Sequence, residues 1–293
     1  MAEPASTAAS SSPKRVAPGR APSHQPGAAG AERVTAAFET AREQGRAALM
    51  PYMMGGFPDQ RTADAVAGVY VEAGADLVEL GVPFSDPLAD GPVIHAADTA
   101  ALAAGATLES VLETCAAIGD RVPVALMAYA NMVLAKGAPE FAAAAAEAGA
   151  AGVIVPDLPL EEQAPMREAL TGRGLALIPM VAPTTPAERR ASICAGAQGF
   201  VYVVSTVGVT GERSGLPAEL TELVDAARRE ASVPVAIGFG ISTPEQAARV
   251  GRIADGVIIG TRLVREVADA PDAGSAAAAV AELLHETRAA LAR

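Results

Sequence analysis

The sequence predicts a (β/α)8 barrel of the TIM type, a single α/β domain preceded by a disordered N-terminal extension. From Glu32 onward, eight short apolar runs alternate with amphipathic helical patterns, which is typical of parallel strands connected by helices. Hydrophobic residues make up 51% of the 293 residues, but aromatic residues make up 3% and Trp is absent. We therefore expect a core of small aliphatic side chains. A doubly wound open sheet is the alternative, but the first turn, MMGGFPD, lacks the glycine pattern typical of that fold.

The eight predicted strands begin near Ala48, Leu77, Val122, Gly152, Ala176, Phe200, Pro234 and Gly256. About 45 residues separate the start of the second strand from that of the third, and about 34 separate the sixth from the seventh, more than a short loop and one helix require. Barrels place their active sites on the loops that follow the strands. The second loop, PFSDPLADGP, and the sixth, TVGVTGERSG, are therefore the first places to look for a site.

The chain divides into residues 1–31, the predicted disordered extension, and residues 32–293, the predicted catalytic barrel. Ala, Ser, Pro and Gly dominate the extension, which has no apolar segment of the kind that a secretory signal needs. Its Ser- and Arg-containing, acid-poor composition is shared with organelle transit peptides, so that interpretation stays open beside a low-complexity tail.

Composition excludes several classes of partner and compartment. The formal net charge of −12 argues against nucleic acid, although backbone N–H groups can still bind a small phosphorylated ligand. No apolar run reaches the length of about 18 residues that indicates a membrane-spanning helix. Two cysteines, Cys115 and Cys194, do not make a disulfide framework. We expect a soluble, cytoplasmic protein that does not bind membranes.

The three histidines argue against metal and serine-hydrolase chemistry. His24 lies in the extension, His95 follows the second-loop motif and His285 lies in a late helical pattern, so no pair has the spacing of metal ligands. No Gly-x-Ser-x-Gly sequence supplies a nucleophile for a catalytic triad. The sequence therefore predicts no metal site.

Glu79 is the leading catalytic candidate. It lies in the run LVELGV, whose neighbours indicate a strand buried on both faces, where an unpaired carboxylate is costly. A buried ion pair is the structural alternative, but no Lys or Arg occurs between Arg61 and Arg121. A carboxylate at the end of a barrel strand favours catalysis.

Two more carboxylates, Asp86 and Asp90, lie in the second loop. Asp is common in such turns because it bonds to the local backbone, and this explanation fits Asp86 as well as a functional one. Asp90 ends the loop just before Gly91-Pro92, where it can face back over the barrel mouth toward Glu79.

Glycine-containing turns follow the last three strands: GVTG at 208–211, GFGIS at 238–242 and GTRL from Gly260. Glycine lets a backbone approach a ligand closely, and barrels often bind phosphate at the last two of these loops, where Ser242 and Thr261 can add hydroxyl groups. Ordinary turns with Ser242 as a helix N-cap are the alternative. An apolar lining is expected from residues near strand ends: Tyr52, Met127, Val181 and Phe239. Tyr129 and Tyr202 are interpreted as core residues whose hydroxyls find partners.

The motifs LVELGVPFSDPLADGPVI, VPDLPLEE, YVVSTVGVTG and GFGIS, in this order, closely resemble the tryptophan synthase alpha chain family. The resemblance extends from Tyr52-Met53 to Gly260-Thr261. It implies a (β/α)8 barrel that cleaves indole-3-glycerol phosphate to indole and glyceraldehyde 3-phosphate, a carbon–carbon lyase reaction. It also implies a tryptophan synthase beta chain as partner in an α2β2 heterotetramer, with pyridoxal phosphate on the beta chain and no cofactor on this one.

Site residues follow from the resemblance position by position. Glu79 matches the general acid/base, and Asp90 matches the carboxylate that bonds the indole nitrogen. The phosphate-binding positions are matched by Gly211, Gly240, Gly260 and Thr261. Tyr202 and Thr210 match residues that shape the site under the sixth loop, where Thr210 is expected to meet Asp90 on closure. The rim that faces the beta chain is matched by Pro83, Asp86, Asn131 and Pro159.

Three residues depart from the usual family pattern. Thr206 stands where arginine is frequent, His95 where glutamine is usual and Thr261 where serine is common. Thr261 keeps the hydroxyl, whereas Thr206 leaves the contacts of the closing loop open. Two other functions remain alternatives: a different phosphate-binding barrel, such as a sugar-phosphate epimerase or isomerase, and a non-catalytic partner of a beta chain.

Overall fold

A computed structural model describes residues 29–205, 218–238 and 240–292. Residues 1–28 lie outside these ranges, so the predicted disorder of the extension stays a prediction. Helix α1 begins at Gly30. Thr206, Thr210, Gly211 and Phe239 also lie outside the described residues.

The predicted barrel is confirmed. All pairings between the strands are parallel, and the sheet order is β5-β4-β3-β2-β1-β9-β8-β7-β6. The strands are β1 (Ala48–Met54), β2 (Val78–Gly81), β3 (Val124–Met127), β4 (Gly152–Ile154), β5 (Ala176–Ile178), β6 (Met180–Val181), β7 (Val201–Val204), β8 (Val235–Gly238) and β9 (Gly256–Ile259).

The fifth predicted strand is divided in two by Pro179. Its first part, β5, pairs with β4, and its second part, β6, pairs with β7. Pro179 has no N–H to donate, but its carbonyl accepts a hydrogen bond from Tyr202 N at 2.9 Å. Because β5 and β6 end the sheet order yet follow each other in the chain, the eight predicted strands close into a ring.

Helices surround this ring: α1 (Gly30–Glu43), α2 (Gln60–Glu72), α3 (Pro92–Ala103), α4 (Leu108–Gly119), α5 (Ala130–Lys136), α6 (Ala138–Glu147), α7 (Ala164–Thr171), α8 (Ala187–Ala195), α9 (Ala218–Glu230), α10 (Pro244–Gly251), α11 (Thr261–Asp269) and α12 (Ala273–Ala290). A short 3-10 helix covers Leu160–Glu162. Two helices, α3 and α4, account for the extra length after β2. The extra length after β7 includes residues 206–217, which lie outside the described ranges.

A buried ion pair fixes the start of the barrel opposite the predicted site. Arg46 precedes β1, and its guanidinium donates to both oxygens of Asp76 at 2.5 and 2.7 Å. Asp76 also accepts from Leu49 N at 2.8 Å, so one carboxylate ties the entry of β1 to the turn before β2. Both charged side chains are buried, and the loss of either would leave the other unpaired.

The described helices include no single helix that could span a membrane. Within the described ranges no helix is long and apolar enough to cross a bilayer, although α3 and α4 meet the criteria of length and composition as a pair bent by 105°. Cys115 and Cys194 are buried in α4 and α8 with free thiols.

Glycine makes room for two tyrosines inside the barrel. A Cβ at Gly81 would overlap the Tyr52 hydroxyl, and a Cβ at Gly238 would overlap the ring and hydroxyl of Tyr202. Both tyrosine side chains are buried. The two glycines therefore allow two large side chains to fill the narrow interior of the barrel without displacing the backbone.

We predict that Gly238→Ala lowers the free energy of unfolding by roughly 1–3 kcal/mol, because the new methyl group must displace the buried Tyr202 side chain. Gly68→Ala is the matched control. A Cβ there meets nothing within 4 Å in the interior of α2, so this change should raise the same free energy by roughly 0.5–1 kcal/mol. Urea denaturation measures both, and an unchanged stability of Gly238→Ala would contradict the packing around Tyr202.

Candidate active site

A pocket of about 400 Å³, including its part open to solvent, lies at the C-terminal mouth of the barrel. The structure brings together eight of the residues that the sequence predicts for the site: Tyr52, Glu79, Asp90, Met127, Tyr202, Gly240, Gly260 and Thr261. Ile94 and Ile258 complete the described lining, and the sequence analysis missed both.

Glu79 lies in β2, inside the barrel, and its side chain is buried. In the strand register it pairs with Tyr52 on one side and Ala125 on the other. Its Oε2 atom has no hydrogen-bond partner among the residues that the structure describes. Burial, and then the charge of Asp90, raise the pKa of Glu79 from 4.5 to about 8. Glu79 is therefore predominantly a neutral carboxylic acid at pH 7.

Asp90 lies at the edge of the pocket and is only partly buried. Its Oδ2 accepts a hydrogen bond from the Tyr129 hydroxyl at 2.8 Å, and the same hydroxyl accepts from Ala89 N at 3.0 Å. Burial raises the pKa of Asp90, while the Tyr129 hydroxyl and the nearby His95 lower it. The two carboxyl groups of the pocket thus have different surroundings, because Glu79 has an oxygen without a described partner whereas Asp90 accepts a hydrogen bond from Tyr129.

Tyr129 does more than fill the core. It follows β3 and is buried, and its ring stacks on Phe84 with centroids 5.1 Å apart. The sequence predicts that the Tyr129 hydroxyl has a hydrogen-bond partner, and the structure provides one. The identity of this partner, Asp90, could not be predicted from the sequence.

Asp98, on α3, is a third carboxylate near the mouth; like Glu79 it is buried, and it was not predicted from the sequence. Burial, and then the charge of Asp90, raise its pKa to about 7, although a hydrogen bond from Phe84 N lowers it. A signal was available. The buried stripe of α3 is Ile94, Ala97, Asp98 and Ala101, and a carboxylate in such a stripe is unusual.

The glycine turns after β8 and β9 face the same pocket. Gly240 has a φ of +76°, a conformation that favours glycine. Gly260 is the N-cap of α11 and Thr261 is its first residue, so the helix begins at the pocket wall and presents there its first backbone N–H groups, which have no partner within the helix. None of the described lining residues is Lys or Arg.

Ser242 does not have the capping role that the sequence analysis considered for it. The N-cap of α10 is Thr243, whose side chain accepts from Gln246 N in a capping box. The Ser242 N–H donates to the Gln246 side chain at 2.7 Å. The predicted lining residue Val181 is buried in β6.

The four predicted partner-contact residues lie near the mouth, on the loops and helix that follow β2, β3 and β4. Asp86, Asn131 and Pro159 are exposed, whereas Pro83 is buried. Two large apolar side chains in the same region are also exposed: Leu88 in the second loop, by 91%, and Leu134 on α5, by 65%. In the described ranges no three His, Cys, Asp or Glu side chains come together to hold a metal ion.

Comparison with known proteins decides the family. The family model for the tryptophan synthase alpha chain matches residues 38–292. A tryptophan synthase alpha chain from Synechococcus sp. (strain CC9902) is 47% identical over 254 residues, covering 86% of this chain and 94% of the relative. The chain belongs to the tryptophan synthase alpha chain family.

Solved structures agree with this membership. A tryptophan synthase structure from Mycobacterium tuberculosis superimposes with a TM-score of 0.82 at 36% identity, covering 89% of this chain and 98% of that chain. The tryptophan synthase alpha subunit of Legionella pneumophila gives 0.80 at 35% identity, with coverages of 88% and 98%. The tryptophan synthase alpha family cleaves indole-3-glycerol phosphate to indole and glyceraldehyde 3-phosphate in tryptophan biosynthesis, as a lyase within the tryptophan synthase complex.

We predict that replacement of Glu79 by Gln changes how stability depends on pH. The folded-state pKa of Glu79, about 8, lies above its ordinary value of 4.5, so the folded chain binds more protons than the unfolded chain between these values. The free energy of unfolding should therefore fall as pH rises from 4.5 to 8, with a contribution from Glu79 of up to about 1.4 kcal/mol per pH unit. Asp98, whose pKa is also raised, should likewise lower the free energy of unfolding as pH rises to about 7.

Urea denaturation of wild type and Glu79→Gln at pH 5, 6.5 and 8 measures the effect. The variant should lose less stability than the wild type over this range. Parallel curves for the two proteins would show that Glu79 is not a buried acid with a raised pKa.

Proposed function

We propose that the pocket at the barrel mouth is where this chain cleaves indole-3-glycerol phosphate, with Glu79 as general acid/base and Asp90 as stabiliser of the ring charge. The observation that carries the proposal is the state of Glu79, a buried acid facing the pocket whose Oε2 has no partner in the described structure. Such a group can deliver a proton to a bound substrate without first losing a stabilising contact at that oxygen.

The proton balance requires one group that both gives and takes a proton. Indole is a poor carbanion leaving group, so the ring carbon that carries the glycerol chain must gain a proton before the carbon–carbon bond breaks. Glu79 supplies this proton. Bond cleavage converts the adjacent alcohol carbon into an aldehyde, and the hydroxyl proton returns to the Glu79 carboxylate, so the acid is regenerated in each turnover.

Protonation of the ring creates positive charge that is delocalised to the indole nitrogen. Asp90 is suited to stabilise this charge because Tyr129 holds one of its oxygens at 2.8 Å and favours the ionised form. A carboxylate held in place before the reaction stabilises the transition state without reorganisation. The apolar part of the indole ring would lie against Tyr52, Ile94, Met127 and Ile258.

The phosphate of the substrate would bind at Gly240, Gly260 and Thr261. These residues combine a glycine turn with the N-terminus of α11, where backbone N–H groups attract an anion. Gly211 is proposed as a fourth phosphate ligand. Thr210 would close over Asp90, and Phe239 would add to the apolar wall. Gly211, Thr210 and Phe239 lie outside the described structure, whereas Tyr202 is a described residue of the pocket lining.

In the proposed chemistry Glu79 exchanges a proton with the substrate and Asp90 stabilises charge, so this chain would need no cofactor, and pyridoxal phosphate would be bound by the beta chain. A sugar-phosphate epimerase or isomerase would need groups other than the Glu79/Asp90 pair, and direct assay with indole-3-glycerol phosphate separates these functions. The cytoplasmic location stays a prediction.

We predict that Glu79→Gln lowers kcat for indole release by about 10²–10⁴-fold, because the amide cannot donate and recover a proton. Asp90→Asn should lower it by about 10²–10³-fold through loss of charge stabilisation. In the wild type, kcat/KM should fall as pH rises above about 8, where Glu79 loses its proton. It should also fall at low pH, where Asp90 is protonated.

Steady-state assays of indole formation across pH 5 to 9.5 check these expectations. Glu43→Gln, at the exposed end of α1, is the control for substitution of an acidic residue. Substantial turnover by folded Glu79→Gln would refute the assignment of this residue.

We further propose that the chain forms an α2β2 complex through the rim of the barrel mouth. The exposed residues Asp86, Asn131 and Pro159 would contact the beta chain, and buried Pro83 would support the second loop from beneath. Leu88 and Leu134 favour this surface because both are large, exposed apolar side chains in the segments that follow the neighbouring strands β2 and β3, and exposed apolar side chains are typical of an interface.

We predict that Leu134→Asp weakens binding of a beta chain by about tenfold or more, because it places a charge where an apolar contact is expected. Glu43→Ala, near the opposite end of the barrel, should leave the affinity unchanged. Calorimetric titration with a purified beta chain gives both affinities, and thermal denaturation shows that each variant is folded. Equal affinities of Leu134→Asp and wild type would exclude Leu134 from the interface.

A further inference from the structure

The loop that carries Asp90 is held by side chains at both of its ends. It runs from Pro83 to Gly91, between β2 and α3. At its end, Ala89 N donates to the Tyr129 hydroxyl at 3.0 Å. At its start, Phe84 N donates to Asp98 Oδ1 at 3.0 Å. These two side-chain acceptors take the place of the backbone carbonyl groups that accept hydrogen bonds from N–H groups in a strand or helix.

Asp98 reaches this loop from the second turn of α3. Its side chain is 1% exposed, and its Oδ2 has no hydrogen-bond partner among the described residues. A buried carboxyl group with one unbonded oxygen is costly to stability, and an apolar residue would suit the neighbouring Ile94, Ala97 and Ala101. The hydrogen bond to Phe84 N is the one contact in the described structure that only a polar side chain at this position can make.

A continuous set of contacts connects Asp98 with Asp90. Asp98 holds the backbone of Phe84. The ring of Phe84 stacks on Tyr129, with an angle of 26° between the planes, and the Tyr129 hydroxyl donates to Asp90 at 2.8 Å. A shift of Phe84 would therefore move the ring that orients Asp90.

We propose that Asp98 is a positioning residue for the lyase reaction, which fixes Phe84 and thereby holds Tyr129 and Asp90 in the geometry that stabilises the protonated indole ring. The inference rests on the proposed function of Asp90. Asp98 need not touch the substrate. Its Oδ1 can accept from Phe84 N in the protonated as well as the ionised form, so the anchor persists through the pH range in which its raised pKa makes it titrate.

The test is a double-mutant cycle on the full chain in complex with its beta chain. Asp98→Ala removes the acceptor of Phe84 N and should lower kcat roughly tenfold or more, with a smaller change in KM, because a displaced stabilising group acts on the transition state. Asp98→Asn keeps an acceptor oxygen and should retain kcat within about threefold. In the Asp90→Asn background, Asp98→Ala should cause less than about twofold further loss, because its effect passes through Asp90.

Asp272→Ala is the matched control, since Asp272 also accepts a hydrogen bond from a backbone N–H, that of Ser275 at 2.8 Å, but at the start of α12. It should leave kcat unchanged. Near-ultraviolet circular dichroism verifies the fold of each variant. If Asp98→Ala does not fold, Phe84→Leu takes its place in the cycle, because it breaks the next contact of the same set.

Equal losses from Asp98→Ala in the wild-type and Asp90→Asn backgrounds would overturn the proposal and assign Asp98 a structural role only. A wild-type kcat for Asp98→Ala would overturn it as well. Failure of the proposed function is distinguishable from either result, because in that case Asp90→Asn alone would retain wild-type turnover.

Discussion

Closure of the parallel sheet determines the chemistry of this site, because it places Glu79 where water cannot solvate its charge. The residue lies in a strand paired on both sides and covered by helices, and the tyrosines that fill the barrel around it are buried as well. An ionised carboxylate is unfavourable there, so the pKa rises to about 8 and the acid form prevails near neutral pH. The fold thereby keeps on Glu79 the proton that this residue is proposed to deliver in the cleavage.

The loop after β2 is held in place by different interactions from those that hold β2 itself. Glu79 is held by the backbone ladder of the barrel, whereas Asp90 depends on side chains that come from outside its own loop: Tyr129 beyond β3, and Asp98 on α3 through Phe84. Asp86 and Leu88 of the same loop are exposed toward solvent. A partner that binds this exposed part would act on a segment whose inner part carries a proposed catalytic carboxylate, which offers a physical route from assembly to activity.

The hydrophobic pattern of the sequence predicted the features that depend on periodicity, such as the strands. It did not predict features that depend on contacts between residues distant in the chain. The eight strands and the position of Glu79 follow from apolar runs that must be buried on both faces. The break at Pro179 was missed because a short strand with one proline resembles an unbroken one, and the cap of α10 falls at Thr243 because the Gln246 side chain completes a capping box there. Asp98 stands out in the sequence as a carboxylate within the apolar stripe of α3, but its contact with Phe84, fourteen residues earlier in the chain, leaves no periodic signal.

The charges of the acidic groups in the pocket affect how a phosphorylated substrate can bind there. Three carboxyl groups near one small cavity, in a chain of net charge −12, would repel a phosphorylated substrate if all were ionised. Burial raises the pKa of Glu79 to about 8 and that of Asp98 to about 7, so near neutral pH Glu79 is mostly uncharged and Asp98 about half ionised. Burial also raises the pKa of Asp90, but the hydrogen bond from the Tyr129 hydroxyl opposes this effect and favours the ionised form. The phosphate would lie instead against Gly240, Gly260 and the N-terminus of α11, where backbone dipoles attract it without a Lys or Arg in the described lining. An added cation near Glu79 would favour its ionised form and so remove the proton that Glu79 is proposed to deliver.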